Sequence, residues 1–121
     1  MSTLKADTWQ NTDGTENYKC RAWVNFNGTG TVAIRAAGNV SSITDNGTGD
    51  YTVNFTNAMP DANFIVSGVC GPATAGTSAA AAAFAAPHNA AQTVSSVRCA
   101  AYVSSNNTLY DPSSVNVAIF R

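Results

Sequence analysis

Apolar and polar residues alternate along much of this 121-residue chain, and the alternation predicts strands. In residues 20–26 the even-numbered positions are apolar, and in residues 31–35 Val32 and Ile34 are expected to point inward. The tetrad Asn-Gly-Thr-Gly at 27–30 separates these two runs. Two alternating runs joined by Asn-Gly are the strongest short-range signal of a β-hairpin.

The same tetrad recurs at 46–49, between a weaker run at 40–44 and a clear one at 51–55. Further strands are predicted at 63–70, 94–103 and 115–121. The run 63–70 is apolar on both faces, which favours a central position in its sheet. About seven strands with turns between them predict an all-β fold, an antiparallel β-sandwich or small barrel over residues 20–121. Residues 1–19 are polar and are interpreted as a connector or arm, with a ragged terminus as the alternative.

Two segments lack the strand pattern. Residues 73–92 are rich in alanine and predict a long loop, with a helical turn within 79–86 as the only helix. Residues 104–114 predict a second loop.

Composition supports the β assignment and excludes several partners. Hydrophobic residues make up 45%, and they include 11 Val but only 2 Leu, which suits strands better than a helical bundle. Six Lys and Arg against seven Asp and Glu give a net charge of −1, so a nucleic-acid partner is not expected. No apolar run reaches 18 residues, so membrane insertion is not expected, and the first residues lack the apolar core of a secretory signal.

The residues that could carry chemistry are few. Cys20, Cys70 and Cys99 show no metal-ligand spacing, and we expect three reduced thiols packed inward, with one disulfide plus a free thiol as the alternative. The lone His88 has no partner at ligand spacing. A calcium site on Asp45, Asn46 and Asp50 would lack a third carboxylate. We therefore expect no metal, no cofactor and no enzymatic activity.

Residues 20–35 (CRAWVNFNGTGTVAIR), residues 39–55 (NVSSITDNGTGDYTVNF) continuing into 58–64, and the closing VNVAIFR at 115–121 together resemble a known domain. It is the C-terminal tip domain of bacteriophage tail fibre and tail tip proteins, and residues 3–15 are similar to segments that precede it. The resemblance implies a virion component, made in the host bacterial cytoplasm, that binds a host cell-surface glycan or protein. It also implies a homotrimer attached to other tail proteins through the N-terminal arm. The chain is then a separate small gene product or a piece of a longer fibre.

Two further expectations follow. Strands with large apolar residues on both faces, such as Trp23 opposite Val24, agree with assembly, because a lone sandwich would leave one face in water. The same pairing occurs at Ile65 opposite Phe64 and at Phe120 opposite Ile119.

The alternative function is a structural virion protein, a tail adaptor or capsid decoration protein with no host ligand. A glycan-cleaving enzyme is disfavoured, because no pair of acids is placed for glycoside hydrolysis.

A ligand site is predicted on the loops, since the hairpin turns offer little side-chain surface. Loop 104–114 is favoured, and loop 71–93 is the second choice. The two loops follow opposite ends of strand 94–103, so we expect them at opposite ends of the domain. The alanine run 79–86 is better suited to a neighbouring subunit. An alternative is that both loops only cover sheet edges or a neighbouring subunit. The candidate ligand-binding residues are Asn106, Asn107, Tyr110, Asp111, Phe84 and His88.

Overall fold

A computed structural model of the chain describes residues 2–15, 18–77 and 82–121. These residues form strands and no helix, which confirms the all-β prediction. The nine strands are β1 (Cys20–Asn27), β2 (Ala33–Gly38), β3 (Val40–Gly47), β4 (Asp50–Phe55), β5 (Ile65–Cys70), β6 (Ala82–Ala85), β7 (Ser96–Val103), β8 (Thr108–Leu109) and β9 (Val115–Phe120).

The strands form two antiparallel sheets that pack as a β-sandwich. Sheet I has the order β2-β1-β9-β5, and sheet II has the order β3-β4-β7-β6. The short β8 pairs with Tyr102 and Val103 of β7, beyond the β7 residues that pair with β4. Both predicted hairpins are present, as β1–β2 and β3–β4.

The core lies between the sheets and is built from the inward positions of the alternating strands. Phe26 of β1 and Tyr51 of β4 are fully buried, and their rings meet edge to face at 5.1 Å between centroids. Phe55 and Phe64 make a second edge-to-face pair at 5.6 Å. Such pairs add about 0.5–1.5 kcal/mol beyond the area they bury. Every second residue of β9, beginning at Val115, is also buried, as its alternation predicts.

The helical turn predicted within 79–86 is wrong over residues 82–85, which form β6 and pair with the end of β7. Residues 79–81 of that prediction lie outside the described residues. Alanine favours a helix in isolation, but β7 supplies backbone partners and Phe84 packs against the core. Phe84 lies over Gly68 of β5, where an added Cβ would come within 2.4 Å of the phenyl ring.

The central position predicted for residues 63–70 is also wrong. These residues give β5, an edge strand that pairs only with β9 among the described residues. Phe64 and Cys70 point into the core, but Ile65 and Val69 point outward and are 64% and 62% exposed. Apolar residues on both faces here reflect an uncovered outer face instead of a central place in the sheet.

Two side chains expected in the core lie outside it. Cys20 is exposed, because the pairing of β1 with β9 is irregular between Cys20 and Ala22 and the extra residue turns Cys20 to the outer face. Ile34 is 37% exposed, and the pairing of β1 with β2 is irregular beside it, between Asn25 and Phe26. Cys70 and Cys99 are buried as expected, and all three cysteines are free thiols.

The described part of the N-terminal arm has no strand and remains exposed. The turn predicted at 11–14 is confirmed, since the amide of Gly14 donates to the carbonyl oxygen of Asn11 at 3.0 Å. Trp9 is 58% exposed and lines a groove of about 310 Å³ with Leu4, Ala6 and Lys19.

Candidate functional site

The outer face of sheet II is polar and bonded within itself. Asn54 of β4 donates to the hydroxyls of Ser42 and Thr44 on β3, at 3.1 and 3.0 Å. Asn46 donates to the hydroxyl of Thr52 at 2.8 Å. Cross-strand polar pairs of this kind suit a face that meets water.

The outer face of sheet I differs because it carries large apolar side chains as well as polar ones. Trp23 of β1 is 45% exposed, and it shares this face with Ile65 and Val69 of β5 and with the partly buried Phe120 of β9. Several exposed apolar residues on one face make that face a candidate binding surface.

A groove lies on this face beside Trp23. The register places Trp23 in a row with Gly38, Ala118 and Ser67, all of them small residues. The indole ring rests on Gly38 of β2, where an added Cβ would meet the ring nitrogen. The groove measures about 440 Å³, and its lining residues are Trp23, Val24, Asn25, Ser67, Gly68, Val69, Asn116, Val117 and Ala118.

The next row of the sheet supplies the groove with polar groups. Asn25 and Asn116 lie opposite each other on β1 and β9, and Val69 follows on β5. The side-chain amide of Asn25 donates to the side-chain oxygen of Asn116 and to the hydroxyl of Ser114, the latter at 3.3 Å. The amide of Asn116 donates to the same hydroxyl at 3.4 Å. These bonds orient two amide groups beside the exposed indole.

Of the predicted site residues, Tyr110 and Asp111 hold the loop in place. The Tyr110 hydroxyl donates to the carbonyl oxygen of Gly71 at 2.7 Å. The Asp111 carboxylate accepts from the amide of Gly49 at 2.8 Å and from the hydroxyl of the buried Tyr51 at 2.9 Å. Burial, with the hydrogen bond to Asp111, raises the pKa of Tyr51 above its usual range.

Asn106 and Asn107 shape the turn between β7 and β8. The side-chain oxygen of Asn106 accepts from the amide of Thr108 at 3.0 Å, which is an Asx-type turn closure. Asn107 takes a positive φ of 57°, a conformation that Asn tolerates better than most residues. Its side chain is exposed at the tip of the turn.

Phe84 and His88 lie elsewhere. Phe84 packs against the core under β5. The Nε2 of His88 lies 3.9 Å from the carboxylate of Asp50, which Arg98 binds through two hydrogen bonds of 2.8 and 2.6 Å. The Arg98 guanidinium holds the pKa of Asp50 below its ordinary value. Both Asp50 oxygens are thus engaged by Arg98.

The two loops were expected at opposite ends of the domain, but the first residues of loop 71–93 lie beside the last residues of loop 104–114. The amide of Ser113 donates to the carbonyl oxygen of Pro72 at 2.8 Å, and Tyr110 bonds to Gly71. The chain after β5 therefore runs against the chain before β9, because β5 and β9 are paired neighbours and the register continues past their ends.

The groove on sheet I was not predicted as a ligand site. Trp23, Asn25 and Asn116 sit at outward positions of their strands, and alternation alone does show that. It does not show that β1 and β9 are adjacent, which brings the two asparagines together.

No protein family, no curated protein and no solved structure matches the chain. In residues 2–15, 18–77 and 82–121, no three His, Cys, Asp or Glu side chains come together as metal ligands would. Nor do those residues include a helix of the length and apolar character needed to cross a membrane.

Proposed function

We propose that the chain is a carbohydrate-binding attachment module and that the Trp23 groove is its ligand site. The setting implied by the sequence resemblance is the tip of a phage tail fibre, where the ligand is a glycan of the host surface. The observation that carries the proposal is a half-exposed indole in a row of otherwise small residues, which lines one groove with two hydrogen-bonded asparagine side chains.

The chemistry of a sugar ring fits this arrangement. A pyranose has an apolar face of C–H groups, which packs on the negative face of an aromatic ring. Its hydroxyls lie at the rim and need donors and acceptors, which amide side chains supply together. Small residues around Trp23 leave the indole face accessible, and a mainly apolar pocket with few polar groups is typical of small-ligand sites.

The site needs no charged group, and its lining carries none. That favours a neutral or weakly charged sugar over a phosphate or a strongly acidic polymer, which would call for Arg or Lys. The strands also hold Trp23, Asn25 and Asn116 on a rigid sheet, so little ordering is needed upon binding.

Glycan-array binding and titration with host surface polysaccharide test the proposal, using Trp23→Ala against Trp9→Ala. Both tryptophans are exposed, but Trp9 lies in the arm. Trp23→Ala should abolish detectable binding while Trp9→Ala retains it, and Trp23→Tyr should retain part of it. Melting curves of all three variants establish that each is folded.

Asn107→Ala separates the groove from the loop prediction. Binding should be unchanged in this variant, because Asn107 lies on the β7–β8 turn. Loss of binding in Asn107→Ala with binding retained in Trp23→Ala would place the site on loop 104–114. No binding by the wild-type domain to any glycan or to host cells would favour the structural virion protein.

A further inference from the structure

Among the described residues, four strands lie at the ends of the main strand orders of the two sheets, and a further edge strand, β8, has only two residues. Three of the four carry features that discourage pairing with another chain. The β2 edge has an irregular register and Arg35, whose guanidinium donates to the carbonyl oxygen of Ser113 at 2.6 Å. The β3 edge has two register irregularities. The β6 strand is only four residues long. Short length, bulges and charges are the usual protections of sheet edges.

The fourth edge, β5, has none of these protections. Its sequence from Ile65 to Cys70 is IVSGVC, without a charge or proline, and its register with β9 is regular throughout. Four of its six residues are exposed. An uncharged, apolar and regular edge is a template for strand addition.

The backbone groups that β5 offers can be identified from the ladder. The amide of Gly71 donates to the carbonyl oxygen of Ser114, so this opposed pair is a hydrogen-bonded one. Hydrogen-bonded and non-hydrogen-bonded pairs alternate in an antiparallel ladder. Ser67 and Val69 therefore face β9, whereas the backbone groups of Val66 and Gly68 point to the free edge.

A side chain of the same molecule supports that assignment. The amide of Gln92 donates to the carbonyl oxygens of Ala62 and Phe64, at 2.7 and 2.8 Å. These two residues have the same parity as Val66 and Gly68, so their carbonyls point to the same edge. Gln92 thus closes the edge just before β5 begins. Beyond it, the backbone groups of β5 that point away from β9 have no backbone partner among the described residues.

We propose that β5 pairs in antiparallel fashion with β5 of a second copy of this chain, about a two-fold axis at Ser67. In this register the outward backbone groups of Val66 and Gly68 face those of Gly68 and Val66 in the second copy, which allows four N–H···O bonds. Ile65 then lies opposite Val69 of the other copy, and Val69 opposite Ile65, as closely spaced non-hydrogen-bonded pairs.

A second copy fits better than an unrelated strand because the edge is complementary to itself. The two-fold register matches its two exposed apolar side chains with each other and places only Ser67 against itself. With no charge on β5 and a net charge of −1 for the whole chain, self-association meets little repulsion. The contact joins two sheets I edge to edge, so that the β5 side of each Trp23 groove lies beside the seam while Trp23 itself lies two strands away.

The mass of the protein in solution tests the proposal by light scattering and sedimentation over a concentration series reaching the millimolar range. The wild type should move from 12.5 kDa toward twice that mass as the concentration rises. The variants Ile65→Lys/Val69→Lys and Ile65→Glu/Val69→Glu should each stay at one-chain mass, because like charges then face each other across the axis. An equimolar mixture should regain the two-chain mass.

Ile34→Lys/Val94→Lys is the matched control, since it adds the same charge at exposed apolar sites away from β5 and should dimerise like the wild type. Hydrogen exchange of the wild type provides a test that needs no variant. The amides of Val66 and Gly68 should become protected as concentration rises, whereas the amide of Ile34 should not.

The proposal replaces the homotrimer that the tail-fibre resemblance implies, so a three-chain mass overturns it, as does a constant one-chain mass in the wild type. It is equally overturned if the lysine and glutamate variants fail to recombine or if Val66 and Gly68 remain unprotected in the dimer. None of these readouts depends on a glycan, so they are separate from the test of the Trp23 groove.

Discussion

The hydrogen bond between Tyr51 and Asp111 provides the sharpest test of how loop 104–114 is held. Tyr51 is 1% exposed, and its hydroxyl lies 2.9 Å from the Asp111 carboxylate and 3.2 Å from the carbonyl oxygen of Gly28. Tyr51→Phe keeps the edge-to-face contact with Phe26 and removes only the hydroxyl. Asp111→Ala removes the acceptor and also frees the amide of Gly49.

The expected cost follows from the groups left unpaired. A buried polar group without its partner costs about 1–3 kcal/mol, and a bond to a charged group lies in the upper part of that range. We therefore expect Tyr51→Phe to lower the free energy of unfolding by about 2 kcal/mol and Asp111→Ala by about 3 kcal/mol. For a domain of this size, 1 kcal/mol corresponds to roughly 4 °C in melting temperature.

A double-mutant cycle in urea isolates the shared bond. Tyr51→Phe/Asp111→Ala should cost less than the sum of the single variants, with a coupling of about 1–2 kcal/mol. Glycan binding by the folded Asp111→Ala protein should match the wild type. Additive costs would refute the bond, and a stable Asp111→Ala protein that loses glycan binding would return Asp111 to the ligand site.

Two further predictions concern thiols and acid. In the native protein Cys20 should react rapidly with a thiol reagent, while Cys70 and Cys99 should react slowly because both are buried. Burial also raises the pKa of the Cys99 thiol to about 12. Three equivalents of reagent should react after denaturation without reductant, and fewer would mean a disulfide. Because Arg98 lowers the pKa of Asp50, the stability from this pair is complete above the unfolded pKa of about 3.9 and is lost as pH falls through the lower folded pKa. The free energy of unfolding, measured in urea from pH 7 to pH 2, should therefore fall more in the wild type than in Asp50→Asn, which has no carboxylate to protonate at this position. Identical pH profiles in the two proteins would contradict the assignment.

The alternation of side chains predicted most of the fold because it records which residues face the core. Phe26, Tyr51 and Val117 are buried where the period of two places them. The predictions failed where a residue departs from that period. The irregularity after Cys20 turned its thiol outward, and nothing in the local sequence marks that position. Likewise, the alanines of Ala82–Ala85 favour a helix by their intrinsic propensity, but in the fold this segment pairs with the backbone of β7 as a strand.

The ligand site was harder to predict, because polar and aromatic residues in loops serve two purposes that look alike in sequence. Tyr110 and Asp111 suggested a binding loop, yet both bond to backbone groups of neighbouring segments. Their partners Gly71 and Gly49 lie 39 and 62 positions away in sequence. Contacts at such separation depend on strand order, which alternation within single strands does not determine.

Strand order also distinguishes outward apolar residues on an interior strand from those on an edge strand, a difference that alternation along the sequence does not show. Trp23 lies on an interior strand among small residues, so its indole face is open to a ligand but cannot be reached by an edge pairing. Ile65 and Val69, the latter also part of the groove lining, lie on a strand that has no second partner among the described residues, so a second copy can pair with it. Joining two copies at β5 would separate their Trp23 strands by five strand spacings, or about 24 Å. A dimer would then present two grooves on one continuous face, so that a repetitive glycan could engage both, and weak binding at each groove would become strong attachment.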